Sequence, residues 1–311
     1  MDIKTLTGSI LVPVDFSETS ILAIEHAASI AVHDKDTITL LHVIEGANFD
    51  PVTETTAFDV THVVEFVIEE AANNLKKIIA DKTGGVTYKF LIVSGKAHSK
   101  ITETANQQKS DFIVMGAYGS SGIQSFAGSN ASKVIQQADC PVVVVKTKSN
   151  NNGYKNIVLP LDLSEETKQK VSHAVELAEY FHSTVHVVSV NESDEFLADK
   201  INANLKQVEN YFKDRNIETT ATIIQDSSEN FADHIINWAI PKNADLIVIM
   251  SQQEKSFREY FVGSYAQQIV NKSPIPVMTV APDPKLAGDV YMPVGTGFYA
   301  SDAIPNESDS L

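Results

Sequence analysis

Residues 10–18 read Ile-Leu-Val-Pro-Val-Asp-Phe-Ser-Glu, and residues 157–165 read Ile-Val-Leu-Pro-Leu-Asp-Leu-Ser-Glu. Five of the nine positions are identical, and the other four exchange one apolar residue for another. The same offset of 147 pairs His26-Ala27 with His173-Ala174, while Pro141-Val142 returns as Pro276-Val277 at an offset of 135. A fixed self-similarity of this kind marks a duplicated structural unit. The second copy is about 12 residues shorter, mostly opposite the loop Glu45 to Ala57 of the first.

Within each copy, short β-rich runs alternate with segments of helical period, the pattern of a parallel α/β sheet. The first copy reads as strands at Ser9–Val14, Thr37–Val43, Tyr88–Val93, Phe112–Met115 and Val142–Val145. Helices fall near Ser20–His33, Val60–Asp81, Ser99–Gln108 and Ser129–Gln137. Ser17 is the expected N-cap of the first helix, with Ile21, Ile24, Ala28 and Ala31 as its apolar stripe. The second copy repeats the scheme, with strands near Asn156–Leu161, Thr184–Val190, Thr219–Ile224, Leu246–Met250 and Val277–Val280. Ser164 is placed to cap the helix that carries Val171, Ala174, Val175 and Ala178. The expectation is two tandem doubly wound α/β domains, residues 1–148 and 149–283. Each holds a five-stranded parallel sheet of order 3-2-1-4-5 with helices on both faces. The polar bridge Lys148–Tyr154 is the linker. Residues 284–311 form an acidic tail rich in Pro and Gly, expected to be disordered or laid on the surface.

Composition bounds the partners. The 311 residues include 24 Lys and Arg against 40 Asp and Glu, a formal net charge of −16. That balance argues against duplex nucleic acid or anionic lipid, whose phosphates need a basic surface. No apolar run reaches the ~18 residues of a membrane span. The first residues lack a secretory leader pattern, and the single Cys140 cannot form an internal disulfide, so a reducing cytoplasm is expected.

Ligands of open parallel sheets bind at the carboxyl ends of the strands where the strand order reverses. Asp15 follows the first strand there, and Gly116 follows the fourth. The segment Gly116-Ala-Tyr-Gly119, then Gly128-Ser129-Asn130-Ala131-Ser132, is the one strong chemical signal. Glycines let backbone N–H groups approach phosphate oxygens, and a helix starting near Ser129 turns its positive end toward them. Read from composition alone, the same stretch is also a flexible loop whose glycines only support turns.

The combination of VPVDFS, DFIVMGAYG and GSNAS…CPVVVVK resembles the universal stress protein family in tandem form, over nearly all of residues 8–281. Nucleotide-binding members of that family carry G-x2-G-x9-G-[ST] and an aspartate after the first strand. The resemblance implies that Pro13, Val14 and Asp15 line the adenosine and ribose side, with Val43 and Met115 against the base. Gly116, Gly119, Gly128, Ser129 and Asn130 would hold the phosphates. The implied cofactor is ATP or another adenine nucleotide, with Mg2+ held by Asp15 through water. The resemblance further implies that the two fifth strands pair, making one chain a pseudo-dimer, with further homodimerisation and an unidentified protein partner left open.

Two departures stand out. Eight residues, Ser120 to Ala127, separate Gly119 from Gly128 where the family has nine, and Ala131 replaces a hydroxyl residue. Ser132 is the nearest substitute. In the second copy Met250 stands for Gly116 and Gln253 for Gly119, although Gly263-Ser264 keeps the spacing. The expectation is that Met250 puts a side chain where phosphate would lie, so that the second domain is degenerate.

Other signals read as structural. His26 and His173 lie mid-helix, His182 and His186 straddle a helix-to-strand passage, and Cys140 is expected to be a buried thiol. Gly295-Thr-Gly297-Phe-Tyr-Ala300 matches a dinucleotide fingerprint without a preceding strand or following helix, so it is set aside. Glu65, Glu69 and Glu70 are taken as a solvated helix face. No acid–base pair, nucleophile elbow or Walker loop is present, so no catalytic residue is assigned. The leading expectation is a cytoplasmic stress-response regulator that binds ATP in its first domain. The alternatives are a scaffold with both sites degenerate and, third, a slow ATPase or phosphotransferase.

Overall fold

The computed structural model describes residues 6–31, 36–45, 73, 86–118, 128–148, 153–161, 169–191, 194–225, 230–251 and 264–282. The first domain runs β1 (Ser9–Pro13), α1 (Glu18–Ile30), β2 (Thr37–Ile44), β3 (Thr87–Ser94), α2 (Ala97–Gln108), β4 (Phe112–Gly116), α3 (Ser129–Gln137) and β5 (Val142–Val145). The second runs β6 (Asn156–Pro160), α4 (Gln169–Phe181), β7 (Thr184–Val190), α5 (Glu195–Lys213), β8 (Thr219–Ile224), α6 (Phe231–Ala239), β9 (Leu246–Met250), α7 (Ser264–Lys272) and β10 (Val277–Val280). Of the expected helix at 60–81 only Asn73 is described, and it is helical; the cap Ser164, Asp162, Gly119, Gln253 and Gly263 lie outside the described residues, as do Glu65, Glu69, Glu70 and Gly295–Ala300.

The strands form one sheet of order β3-β2-β1-β4-β5-β10-β9-β6-β7-β8. Each half has the expected 3-2-1-4-5 order, the second reversed in space. Every pairing is parallel except β5 with β10, where Val144 faces Val277 and Val143 faces Met278. The two fifth strands therefore pair as expected, and neither is left as an open edge. Parallel strands covered on both faces must be apolar throughout. In β4, β5, β9 and β10, Phe112–Met115, Val142–Val145, Leu246–Met250 and Val277–Val280 are all buried.

One core lies between the sheet and α1, α4 and α5, and the other between the sheet and α2, α3, α6 and α7. Ser17 caps α1, accepting a hydrogen bond from Ser20 N at 3.2 Å. The stripe on α1 is rotated from the expected one. Ala23, Ile24, Ala27 and Ile30 are buried, whereas Ile21, Ala28 and Ala31 are only half-buried. The alanines have no bulk beyond Cβ, so that face sits closest to the sheet. On α4, Val171, Ala174, Val175 and Ala178 are buried as expected.

Carboxylates fasten the amino ends of the strands. Asp111 Oδ2 accepts hydrogen bonds from Thr7 N, Gly8 N and Ser9 N at 2.7, 2.8 and 3.1 Å. Its counterpart Asp245 Oδ2 accepts from Lys155 N and Asn156 N, both at 2.8 Å. Each clamp ties the start of a domain's first strand to the entry of its fourth.

The linker end is packed rather than loose. Gly153 N donates to Ser29 O at 2.7 Å, and the Tyr154 hydroxyl meets His26 Nε2 at 2.9 Å. Tyr180 of α4 donates to Asp36 Oδ1 at 2.6 Å. His26 is thus a packing histidine. His173 lies 3.4 Å from Glu176 on the same helix. Cys140 is half-buried rather than buried, because it sits in the turn before β5 rather than in the strand.

Burial pushes the His26 imidazole down to about 4, from an ordinary value of 6.5. The unfolded chain then binds more protons than the native one between those values. Stability is fully present above about pH 6.5 and is lost as the pH falls toward 4, by about 3 kcal/mol. The His26→Gln variant should show a smaller loss over that window in urea titrations; an identical loss would remove His26 as the source.

Candidate functional site

The chain leaves β1 through an unusual turn. Phe16 has φ of 62°, a left-handed conformation uncommon outside glycine. Its ring packs on His42 with centroids 4.9 Å apart, and His42 Nδ1 meets Val14 O at 2.7 Å. The turn leaves Asp15 exposed, with Oδ1 accepting from Ser17 N at 3.0 Å and Ser17 Oγ at 2.5 Å. Strain of this kind collects at functional sites. Here it sets Asp15 at the carboxyl end of β1, where it lines a cleft with residues from the exit of β4.

Opposite, the chain leaving β4 is held by two backbone bonds. Ala117 N donates to Val145 O at 2.9 Å, and Gly128 N donates to Ala117 O at 2.8 Å. The second bond closes the base of the loop and delivers the chain directly into α3. No side chain caps α3 at Gly128, and its first turn holds no acid.

Between these walls lies one cleft of about 130 Å3. Pro13, Val14, Asp15, Val43, Met115, Gly116, Gly128, Ser129 and Asn130 all line it, so every sequence-predicted position meets there except Gly119, which is not described. Ser20, Leu41, Ala97, Ile101, Ala117, Tyr118 and Ala131 complete the lining. Ile101 and Ala97 come from α2 and carry no motif; only the crossing of α2 over the strand ends brings them in. Ala131 is buried in the cleft wall, and Ser132 is not among the residues that line it. The lining is mainly apolar, with a few polar groups at one end, the usual make-up of a small-molecule site. Asp15 is its single acid among the described residues.

A larger cleft, 310 Å3, opens at the amino ends of the strands, lined by Thr7, Gly8, Ser9, Thr37, Thr39, Lys89 and Gln108. It has no apolar slot and lies away from the reversal of strand order, so size alone does not make it the better candidate.

Gly116 has a packing reason for being glycine. A Cβ there would stand 2.5 Å from Thr19 Oγ1 and 2.7 Å from the Thr19 carbonyl carbon. Thr19 also donates its hydroxyl to Tyr118 O, tying the start of α1 to the exit of β4. The expectation for Met250 is corrected on the same ground. Strand alternation turns position 250 toward the helix-covered core, and Met250 is fully buried there with Val248. Its side chain does not enter a phosphate position.

The universal stress protein family model matches residues 7–146 and again residues 153–281. The chain belongs to the universal stress protein family. Two universal stress proteins of Methanocaldococcus jannaschii are each 32% identical to it. One matches over 146 residues (46% of this chain, 84% of the relative), the other over 158 (45% and 96%). One solved universal stress protein from Archaeoglobus fulgidus covers 90% of this chain and 98% of its own length, with a TM-score of 0.66 and 19% identity. That likeness is one of fold, and it extends over both family units. Among the described residues no helix is long and apolar enough to cross a membrane.

The Thr19 contact makes a direct prediction. Gly116→Ala forces α1 away from β4 and should lower stability by about 1–3 kcal/mol, read as the urea midpoint. An unchanged midpoint would mean that Thr19 yields freely.

Proposed function

We propose that the first domain binds ATP, or another adenine nucleotide, in the cleft between β1 and β4. The observation that carries this reading is the meeting of three elements at one place. They are an apolar slot (Leu41, Val43, Ile101, Met115), the Asp15 carboxylate, and the uncapped amino end of α3 at Gly128–Asn130. The slot suits a flat apolar base, and Asp15 suits ribose hydroxyls. The amino end of α3 suits phosphate oxygens, since its first N–H groups point out of the helix and its dipole is positive there. At 130 Å3 the cleft is below the roughly 300–1,000 Å3 of sites that enclose whole ligands. The base and part of the ribose fill it, and the phosphates extend past Asp15 and Gly128.

Mg2+ would accompany the phosphates, since a hard cation takes oxygen ligands and commonly only one or two carboxylates from protein. Asp15 is the lining residue with that chemistry. Among the described residues no group of three His, Cys, Asp or Glu side chains is gathered for a metal, so phosphate oxygens and water would supply most of the coordination. The role that follows is regulatory, in the cytoplasm. Occupancy braces Tyr118, Thr19 and Gly128 together, and a protein partner reads the braced surface. No bond-making step is assigned to the chain.

The first test is direct. Acid release from freshly purified protein should yield adenine nucleotide, and MgATP at 100 times Kd should stabilise the fold by about 2.7 kcal/mol. Absence of any melting shift at millimolar MgATP would overturn the reading. Ser129→Glu is the matched control. A glutamate in the first turn favours the α3 dipole, so the protein stays folded, while the carboxylate repels phosphate. The variant should keep its ligand-free melting temperature and lose the MgATP shift.

A further inference from the structure

Lys146 immediately follows β5, at the same end of the sheet as the cleft. Val145 is paired with Gly116 in the β4–β5 ladder, and its carbonyl accepts from Ala117 N at 2.9 Å. Lys146 is therefore held against the exit of β4, where the cleft wall turns toward α3. Val142 and Val144 face the core beneath α2 and α3, and alternation puts Lys146 on that same side. Its ammonium stands 5.9 Å from the centre of the Tyr118 ring, and Tyr118 lines the cleft.

The Lys146 Nζ atom is shielded from solvent and, among the described residues, has no hydrogen-bond partner. Burial pushes its pKa down to about 8, from an ordinary 10.5, with no carboxylate opposing the shift. An ammonium taken out of water without a counter-charge is destabilising, and a ring face compensates only in part. Nothing in the packing of β5 requires it, because the other copy manages without. There Val280 O accepts from Ser251 N at 2.8 Å in the equivalent bond, and the residue that follows is Ala281. The cation is present only in the copy that has the glycine-bearing exit from β4.

We propose that Lys146 supplies the fixed counter-charge for the phosphate tail of the ligand in the first-domain cleft, with Tyr118 holding the ammonium in place until the ligand arrives. This rests on the nucleotide reading of the cleft and adds a side-chain charge to a phosphate site otherwise built from backbone. A four-carbon stem with three rotatable donors can leave a ring face for a phosphate oxygen without moving the backbone. The trade is favourable, since a charge-assisted bond to phosphate replaces a ring contact.

Calorimetry on the full chain, with MgATP and with adenosine as the uncharged probe, tests this. In Lys146→Met the Kd for MgATP should rise about ten-fold or more, the loss of one charged hydrogen bond. The Kd for adenosine should stay within about two-fold, and the ligand-free melting temperature should hold or rise, because an unpaired buried charge is gone. Lys146→Gln, which keeps a polar end, should fall in the same direction and serves if the Met variant is insoluble. Equal loss of MgATP and adenosine would overturn the proposal in favour of a packing role through Tyr118. Unchanged MgATP affinity would overturn it outright. Wild-type protein that binds neither probe would overturn the nucleotide reading and this inference together, whereas wild-type binding with an indifferent Lys146→Met would overturn this inference alone.

Discussion

The antiparallel ladder between β5 and β10 is the contact around which the molecule is organised. Each half, taken alone, would end in a fully buried strand, Val142–Val145 or Val277–Val280, with one row of backbone N–H and C=O groups unpaired. Such an edge pairs with whatever strand it meets. Here Val144 meets Val277 and Val143 meets Met278 within one chain, and the two five-stranded halves become one ten-stranded sheet. The cores continue across the seam on both faces, so Tyr154 from the linker packs among residues of both domains. Thr147 reinforces it by donating its hydroxyl to Pro274 O at 2.6 Å. Beside the seam β4 pairs with β5 and β1 pairs with β4, and the cleft lies at the carboxyl ends of β1 and β4.

The cleft is a consequence of topology before it is a consequence of chemistry. From β1 the chain moves outward to β2 and β3, then returns to place β4 on the other side of β1. The connections on either side of the β1–β4 pair thus diverge, leaving a gap at the strand ends. Asp15 and Tyr118 both line it, and the Thr19 hydroxyl ties α1 to the exit of β4 at Tyr118 O. Gly116 permits that tie, since any side chain there would collide with Thr19. The same glycine looks in sequence like part of a phosphate loop, and its tertiary reason is the packing of a helix.

The two domains show how one fold carries different sites. Both keep the strand order, the clamps of Asp111 and Asp245 at the amino ends, and the backbone bond from the exit of the fourth strand to the end of the fifth. These features hold the framework and do not depend on a ligand. They differ where β4 and β9 end, Gly116 against Met250, and where β5 and β10 end, Lys146 against Ala281. Met250 fills core space, so the difference at this position concerns how the first helix approaches the sheet rather than a blocked phosphate position.

The repeat and its alternating apolar runs were enough to determine the number of domains, the strands and their parallel order. Burial on both faces demands unbroken runs such as Phe112–Met115, and a duplicated pattern demands a duplicated fold. Most of the cleft was legible too, because Asp15 and Gly128–Asn130 sit at strand and helix ends that topology must bring together. The apolar stripe of α1, the reason for Gly116 and the direction of Met250 were not legible. Each depends on the distance and rotation at which a helix settles on the sheet, which side-chain volumes on both surfaces decide together. Lys146 entered the sequence reading only as the end of the CPVVVVK run, with nothing there to mark its burial. Only the folded chain closes over its ammonium and sets it beside Tyr118, because burial is a property of everything packed around a residue and not of the residue itself.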